Sequence, residues 1–298
     1  MSEPAPTGFS LWIAGARLRT LPAAVVPVAV GSAVAVGMGS ETAWWRAAAA
    51  LVVSLALQVG VNFANDYSDG VRGTDGEDRV GPLRLVGSGL VPASSVKRAA
   101  TLAFGVAGLV GASLALAVGP ELFVVGALCL VAGWTYTGGP RPYGYLGLGE
   151  VFVFIFFGLV ATIGTTYVLL EEVPALAVWS SVTVGLWATA LMVTNNLRDI
   201  PGDTLAGKQT LAVRLGDANT RIAFGLMHAV ALAVAVAAFF VFDRGSIGAL
   251  AAVPFWLKAQ SLVRAGAKGP ALIPVLGASS AAQLAGGLGM TLGLVLTG

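Results

Sequence analysis

Nine apolar stretches dominate this chain, at about residues 20–39, 44–66, 97–118, 121–137, 148–170, 174–197, 219–242, 246–263 and 271–297. A bilayer crossing needs ~20 mostly apolar residues, and a chain that repeats such runs has few options beyond a bundle of membrane helices. The fourth run is short and the eighth carries Lys258, so these two test the count. Composition agrees, with only 11% of residues charged where soluble domains carry ~25%. The expected fold is an all-α integral membrane protein, a bundle of about nine transmembrane helices with a central cavity opening to the cytoplasmic side. It is expected to form one domain over residues 1–298, with 1–10 as a short disordered polar start. No signal peptide with a small-residue cleavage site precedes the first run.

The basic residues orient the bundle. With the N-terminus inside, 15 of the 17 Lys and Arg fall on inside segments, leaving only Arg46 and Arg244 outside. Such a bias predicts a multi-pass protein of the cell membrane with a cytoplasmic N-terminus and an odd number of spans. The outside connections, with Glu41, Glu121, Glu171, Glu172 and Asp243, read as plain turns. Two inside loops, at about 67–96 and 198–218, are long enough to expect function in them. The net charge of +2, with no basic stripe, gives no reason to expect nucleic acid. The single cysteine, Cys129, excludes an internal disulfide. Small residues at spacing four (Gly31, Ala35 and Gly39; Gly289 and Gly293) read as helix-packing faces, and His228 as a packing residue.

The polar residues concentrate where two of these runs meet the inside loops. On the second run, Asn62 and Asp66, and Asn65 and Asp69, are i,i+4 pairs, so a helix continuing to Asp69 puts all four roughly on one face. Carboxylates there suit Mg²⁺, which takes one or two protein oxygens and shares the ion with substrate phosphates; the plainer reading is a solvated helix end. The sixth run ends the same way, in Asn195, Asn196, Arg198, Asp199 and Asp203, with Pro201 predicted to end or kink the helix between the two aspartates. Four spans separate the two motifs, as in a weak parallel repeat of four helices plus a ninth. Arg72, Arg79, Arg84, Lys208 and Arg214 add cations, so a diphosphate held through Mg²⁺ and clamped by Arg and Lys fits the set. The loop from Gly81 to Gly89 lacks the Gly-Lys-Ser/Thr of a nucleotide P-loop. A diphosphate site opening into an apolar bundle implies a diphosphate head with a hydrocarbon tail, the shape of a prenyl diphosphate. A cation transporter is the competing class, but it would place ionisable residues at mid-membrane.

Asn65-Asp66-x-x-Asp69 and Asp199-x-x-x-Asp203 resemble the motifs of the UbiA-type intramembrane prenyltransferases, over nearly the whole chain. Finer details resemble the menaquinone branch of that family. They are Gln58 and Asn62; Gly73, Thr74 and Asp75; Gly81 to Arg84 with Ser88 and Gly89; Tyr136 to Tyr145; Gly147 to Glu150; and Asn195 to Asp199 with Gly207, Lys208 and Thr210. Where many members have a third Asp four residues after Asp69, this chain has Gly73, with Asp75 two later; a Tyr-x-x-x-Lys element is replaced by Tyr136 and Arg141.

The resemblance implies Mg²⁺-assisted loss of diphosphate from a polyprenyl diphosphate and alkylation of 1,4-dihydroxy-2-naphthoate with loss of its carboxylate, giving demethylmenaquinone. Other acceptors of the same fold, such as 4-hydroxybenzoate or homogentisate, are the alternative. Asp66, Asp69, Asp75, Asp199 and Asp203 are then the expected metal ligands, and Glu150 and Tyr136 join the four motif aspartates as catalytic candidates. Expected substrate contacts are Gln58, Asn62, Asn65, Arg72, Arg84, Ser88, Arg141, Tyr143, Tyr145, Asn195, Asn196, Lys208 and Arg214. Aromatic faces stabilise a nearby cation, which adds Tyr67 and Trp134 to the three tyrosines. Membrane lipid is the expected surrounding.

Overall fold

In the computed structural model, residues 7–39, 42–74, 81 and 83–298 are described. The predicted residues 1–6, Glu41, Asp75 and Arg79 lie outside them. All regular structure among the described residues is helical. The chain begins with α1 (Phe9–Ala16), so residues 9 and 10 belong to a helix and not to the expected disordered start. Arg17, in a left-handed conformation, turns the chain through a short 3-10 segment into α2 (Pro22–Gly37). The bend between the two is 53°. Then follow α3 (Trp44–Arg72), α4 (Ala93–Ala117) and α5 (Glu121–Thr135). The second half holds α6 (Gly149–Leu170), α7 (Ala175–Leu205), α8 (Leu211–Val241), α9 (Arg244–Arg264) and α10 (Gly269–Thr297).

The nine expected runs are all helical. Seven helices are long and apolar enough to cross a bilayer, and the bent α1–α2 pair makes an eighth. The run at 121–137 is the apolar helix α5, but its 15 residues fall short of the ~20 that a perpendicular crossing needs. The eighth run passes despite Lys258. The protein is a multi-pass membrane protein.

Helix α7 is the central post: 67% of its most apolar stretch is buried inside the protein, against 22% for α4 on the rim. Around Trp187 of α7 pack Val26 and Val30 of α2, Ala231 of α8, Ala252 of α9 and Met290 of α10. These side chains are apolar, so shape governs their packing. A Cβ added at Gly248 or Gly245 of α9 would strike the backbone of Gly289 or Gly293 of α10, so these two helices touch main chain to main chain. Gly31 likewise abuts Thr162 of α6, and Ala35 is fully buried. Gly39 corrects the expected packing face. It lies past the end of α2 with φ +74°, and nothing approaches the position of its Cβ.

Two further expectations change. Pro201 does not end its helix; α7 runs through it to Leu205, as membrane helices tolerate when neighbours compensate the lost bond. The long second loop therefore shrinks to 206–210 before α8 begins, with a kink at Gly216. His228 packs as expected, its Nδ1 3.2 Å from the Phe224 carbonyl and its ring stacked on Trp256.

Candidate active site

The last four turns of α3 carry Gln58, Asn62, Asn65 and Asp69 on one face, which lines a cavity of about 1080 Å³ enclosed by α2 to α7. Neighbouring segments hold each of them. Thr20, ahead of α2, accepts from Gln58 (2.9 Å) and from Asn62 (3.1 Å), and Asn62 also donates to the Ala16 carbonyl. Asn65 accepts from the Thr137 hydroxyl at 2.8 Å. Asp69 takes a hydrogen bond from the Tyr145 hydroxyl on Oδ1 (2.7 Å), and its Oδ2 faces Lys208 at 3.2 Å and Arg84 at 3.5 Å.

Asp66 goes elsewhere. It is fully buried, off the cavity wall, with its two oxygens accepting from the main-chain N–H groups of Leu85 (2.8 Å) and Val86 (3.0 Å). The expected common face therefore splits, and Asp66 anchors the turn that presents Arg84.

Helix α7 supplies the facing carboxylates. Asn195, Asn196, Asp199 and Asp203 all line the cavity. Because α7 continues through Pro201, Asp199 and Asp203 are i,i+4 neighbours. The Arg198 guanidinium donates twice to Asp199, at 2.7 Å each. Among the described residues, the Asp203 carboxylate accepts one hydrogen bond, from Thr210 at 3.4 Å. Asn195 donates to the Leu191 carbonyl, and Asn196 donates to Glu150 at 2.8 Å. Glu150 sits behind Asn196, off the wall, and its second oxygen is buried with no hydrogen-bond partner among the described residues.

The mouth is thus a patch of alternating sign. Burial lowers the pKa of Lys208, but Asp69, Tyr145 and Asp203 together outweigh it and the net shift is upward, so Lys208 is a cation at neutral pH. Burial and then the charge of Asp69 raise Tyr145, which stays a donor. Lys208 lies 4.6 Å and Arg72 5.3 Å from the centre of the Tyr145 ring. Arg72 itself is off the wall, donating to the carbonyls of Thr137 and Gly139.

Behind this mouth the wall turns aromatic. Tyr136 and Tyr143 have ring centres 5.4 Å apart, Tyr143 stacks on Phe152 at 3.8 Å, and Phe152 leads to Phe156 at 5.9 Å. Tyr136 is held neutral by burial, with the nearby Glu150 charge adding to the effect. Burial raises Tyr143 as well, and its hydroxyl donates to the Ala132 carbonyl. Tyr67 and Trp134 stack on each other outside the wall set, with Lys97 5.5 Å from the Tyr67 ring. A π-helical segment, Phe154–Val160, places Phe156 and Phe157 on the wall together.

Besides Arg72, three expected contacts lie away from the cavity. Arg141 is exposed; Ser88 is exposed and donates to the Arg84 carbonyl; Arg214 donates to the Gln209 carbonyl. Conversely, Arg17, Thr20, Thr137, Phe152 and Phe156 are wall residues the sequence reading did not single out. Thr137 lies inside the Tyr136–Tyr145 stretch and Thr20 opens the first run, so both carried a local signal. Among the described residues no three acidic, His or Cys side chains cluster as a ready metal cage.

Residues 24–268 match the UbiA prenyltransferase family. The chain is 47% identical over 276 residues to a 1,4-dihydroxy-2-naphthoate octaprenyltransferase of Mycobacterium tuberculosis, covering 93% of this chain and 94% of that one. It is 46% identical over 290 residues to the protein of that name in Mycobacterium leprae, covering 97% and 98%. The fold is that of a UbiA homologue from Aeropyrum pernix K1, with a TM-score of 0.69 at 16% identity over 96% of this chain and 99% of that one. It is also that of a homologue from Archaeoglobus fulgidus bound to DMAPP and Mg²⁺, with a TM-score of 0.67 at 16% identity over 94% and 99%. A family match across most of the chain, relatives near half identity along their whole length and a shared fold agree: this chain belongs to the UbiA prenyltransferase family.

Proposed function

We propose that this protein transfers a polyprenyl group from a polyprenyl diphosphate to 1,4-dihydroxy-2-naphthoate with loss of the ring carboxylate, the whole chain working as one membrane-embedded unit. The observation that carries the reading is the cavity itself, whose charged mouth at Asp69, Asp203 and Lys208 passes into a ladder of aromatic rings and then an apolar run. The names of the relatives at 46% and 47% identity supply the acceptor.

The donor set fits Mg²⁺ by its chemistry. Asp69, Asp199 and Asp203 offer hard oxygens along one cavity, and Mg²⁺ commonly needs only one or two carboxylates when substrate phosphates complete its shell. Of these, Asp199 and Asp203 on α7 would hold the ion, which when bound would stabilise the charge on the leaving diphosphate. Lys208 and Arg84 meet the remaining diphosphate oxygens. The C1–O bond of the donor then breaks, and C1 bonds to the ring carbon that gives up its carboxylate as carbon dioxide. The product is demethylmenaquinone in its reduced, hydroquinone form. Tyr136, Tyr143 and Phe152 present ring faces to the cationic C1, each worth ~0.5–2 kcal/mol. Glu150 acts through Asn196, fixing the amide that faces the acceptor. Asp66 positions Arg84 through the turn it anchors and is not a ligand.

The orientation follows from the basic residues: N-terminus and mouth face the cytoplasm, where both substrates would be met, and the spans lie in the cell membrane. Purified protein given one polyprenyl diphosphate, Mg²⁺ and either acceptor should release carbon dioxide with the naphthoate and barely react with 4-hydroxybenzoate. EDTA should stop the reaction and added Mg²⁺ restore it. Equal rates with the two acceptors, or prenylation without carbon dioxide, would overturn the reading.

A further inference from the structure

Arg46 is one of two basic residues remote from the mouth, at the start of α3. Its guanidinium donates to the carbonyl of Val168 (3.1 Å), to the carboxylate of Glu171 (2.8 Å) and to the carbonyl of Ala117 (3.3 Å). Val168 and Glu171 belong to the C-terminal end of α6, and Ala117 is the last residue of α4. One cation therefore caps two helix C-termini, where the free carbonyls carry partial negative charge. Glu171 has φ +58°, an uncommon conformation for a residue with a side chain. At the same end the Tyr167 hydroxyl of α6 donates to Glu121, the first residue of α5. Helix α5 packs otherwise on α3 and α4, so this bond ties its outer edge to α6.

The foot of the cavity lies beneath these bonds. Ala50, Leu114, Leu122 and Val168 all line the wall. Ala50 is one turn from Arg46, Leu114 lies one turn before Ala117, Leu122 adjoins Glu121, and the Val168 carbonyl itself receives Arg46. From Asp69 at the mouth to Ala50 at the foot is ~28 Å along α3, at 1.5 Å per residue.

We propose that Arg46–Glu171 and Tyr167–Glu121 form a latch that closes the foot of the cavity and so limits how much of a polyprenyl tail runs straight along it. This rests on the donor proposed above. A tail longer than the closed cavity must fold or turn aside, whereas a short one is unaffected. Opening the latch therefore favours long donors over short ones and leaves the mouth, and with it the acceptor, alone.

The test compares farnesyl and octaprenyl diphosphate on purified enzyme in lipid vesicles. In Arg46→Gln/Tyr167→Phe the ratio of kcat/KM for octaprenyl over farnesyl should rise about tenfold, the low end of what the fit of one methylene in an apolar pocket is worth, with the KM for the naphthoate unchanged. Glu121→Gln, whose amide oxygen can still accept from the Tyr167 hydroxyl, should keep the wild-type ratio. Where the double latch variant fails to fold, Tyr167→Phe alone removes just the hydroxyl bond and should raise the ratio by a smaller factor. A ratio unchanged within twofold in folded latch variants, accompanied only by a lower Tm, would reduce these residues to helix caps and overturn the proposal. Wild-type protein that transfers no prenyl group would refute the donor reading itself.

Discussion

Helices α3 and α7 are built to the same plan. They are 29 and 31 residues long, and each ends in asparagines followed by two aspartates. Their carboxylates are nevertheless used differently. Both oxygens of Asp66 and both of Asp69 are engaged by other segments of the chain: the turn at Leu85 and Val86, Tyr145, Lys208 and Arg84. On α7, Asp199 is paired with its own sequence neighbour, and Asp203 has one long hydrogen bond among the described residues. The α3 cluster holds the mouth together, whereas the α7 cluster keeps acceptor capacity in reserve. Tying loops and receiving a cationic ligand are competing demands on one carboxylate, and the two helices divide them.

The contrast is tested most severely by Asp203→Asn. Turnover should fall by about 10²–10³, the loss typical of one preorganised charge contact, while the thermal midpoint stays where it was. If Asp203→Asn unfolds the protein and Asp69→Asn leaves it intact, the assignment of roles is reversed. Next in size is Asp66→Asn, which turns an amide N–H₂ or a single oxygen toward two backbone donors and should cost about 1–3 kcal/mol of stability. Melting curves with a Mg²⁺ titration of activity measure both sides: the midpoint drops, and the Mg²⁺ concentration for half-maximal rate does not move. A shifted Mg²⁺ requirement would return Asp66 to the ligand set.

A smaller effect comes from pH. Lys208 has a raised pKa in the folded protein: burial pulls it down, and Asp69, with Tyr145 and Asp203 behind it, together more than offset that pull. Its contribution to stability is complete below the ordinary lysine value and fades only as pH climbs through the higher folded one. Melting midpoints between pH 7 and 9 should therefore show no loss attributable to this contact, and a Lys208→Met protein should give a parallel, lower curve. Convergence of the two curves below pH 9 would show that the pair does not hold the α3 mouth. Least affected should be Arg141→Ala and Ser88→Ala. Both residues are exposed and off the cavity, so activity should change less than twofold and stability by no more than ~0.5 kcal/mol.

How far the sequence could be read follows the same division. The spans were legible because a bilayer demands a length and an apolarity that nothing else in the chain imitates. The face of α3 was legible only to within part of a turn. At ~100° per residue, Gln58, Asn62, Asn65 and Asp69 fall within ~60° of one another, and Asp66 lies ~40° beyond that arc. An i,i+4 argument keeps it with the others, but the Leu85–Val86 turn, 20 residues along the chain, draws it away. Pro201 misled for a related reason: a proline rule learned in water overstates the break inside a packed membrane helix. Phe152 and Phe156 look like any apolar residues of a span, and it is the stacking of Phe152 on Tyr143, with Phe156 against Phe152, that gives them a role. Thr20 and Thr137 likewise matter through partners some 40 and 70 residues distant, a separation at which local pattern carries no signal.

The π-helical segment of α6 has a consequence for descent. A π turn takes up about one residue more than an α turn, so α6 beyond Val160 faces a direction that uniform winding would not give it. Gly158 lies against Gly185 of α7 at this point, leaving no room for a side chain between the two helices. Loss of a single codon here would let the segment relax to ordinary winding and swing the rest of the helix by ~100°. Thr166 would leave the Gly31 carbonyl it now bonds at 2.9 Å, and Tyr167 would leave Glu121. Apart from Gly158, positions in Phe154–Val160 are thus open to gradual substitution, while insertions and deletions are not: the length of this stretch is inherited as a unit.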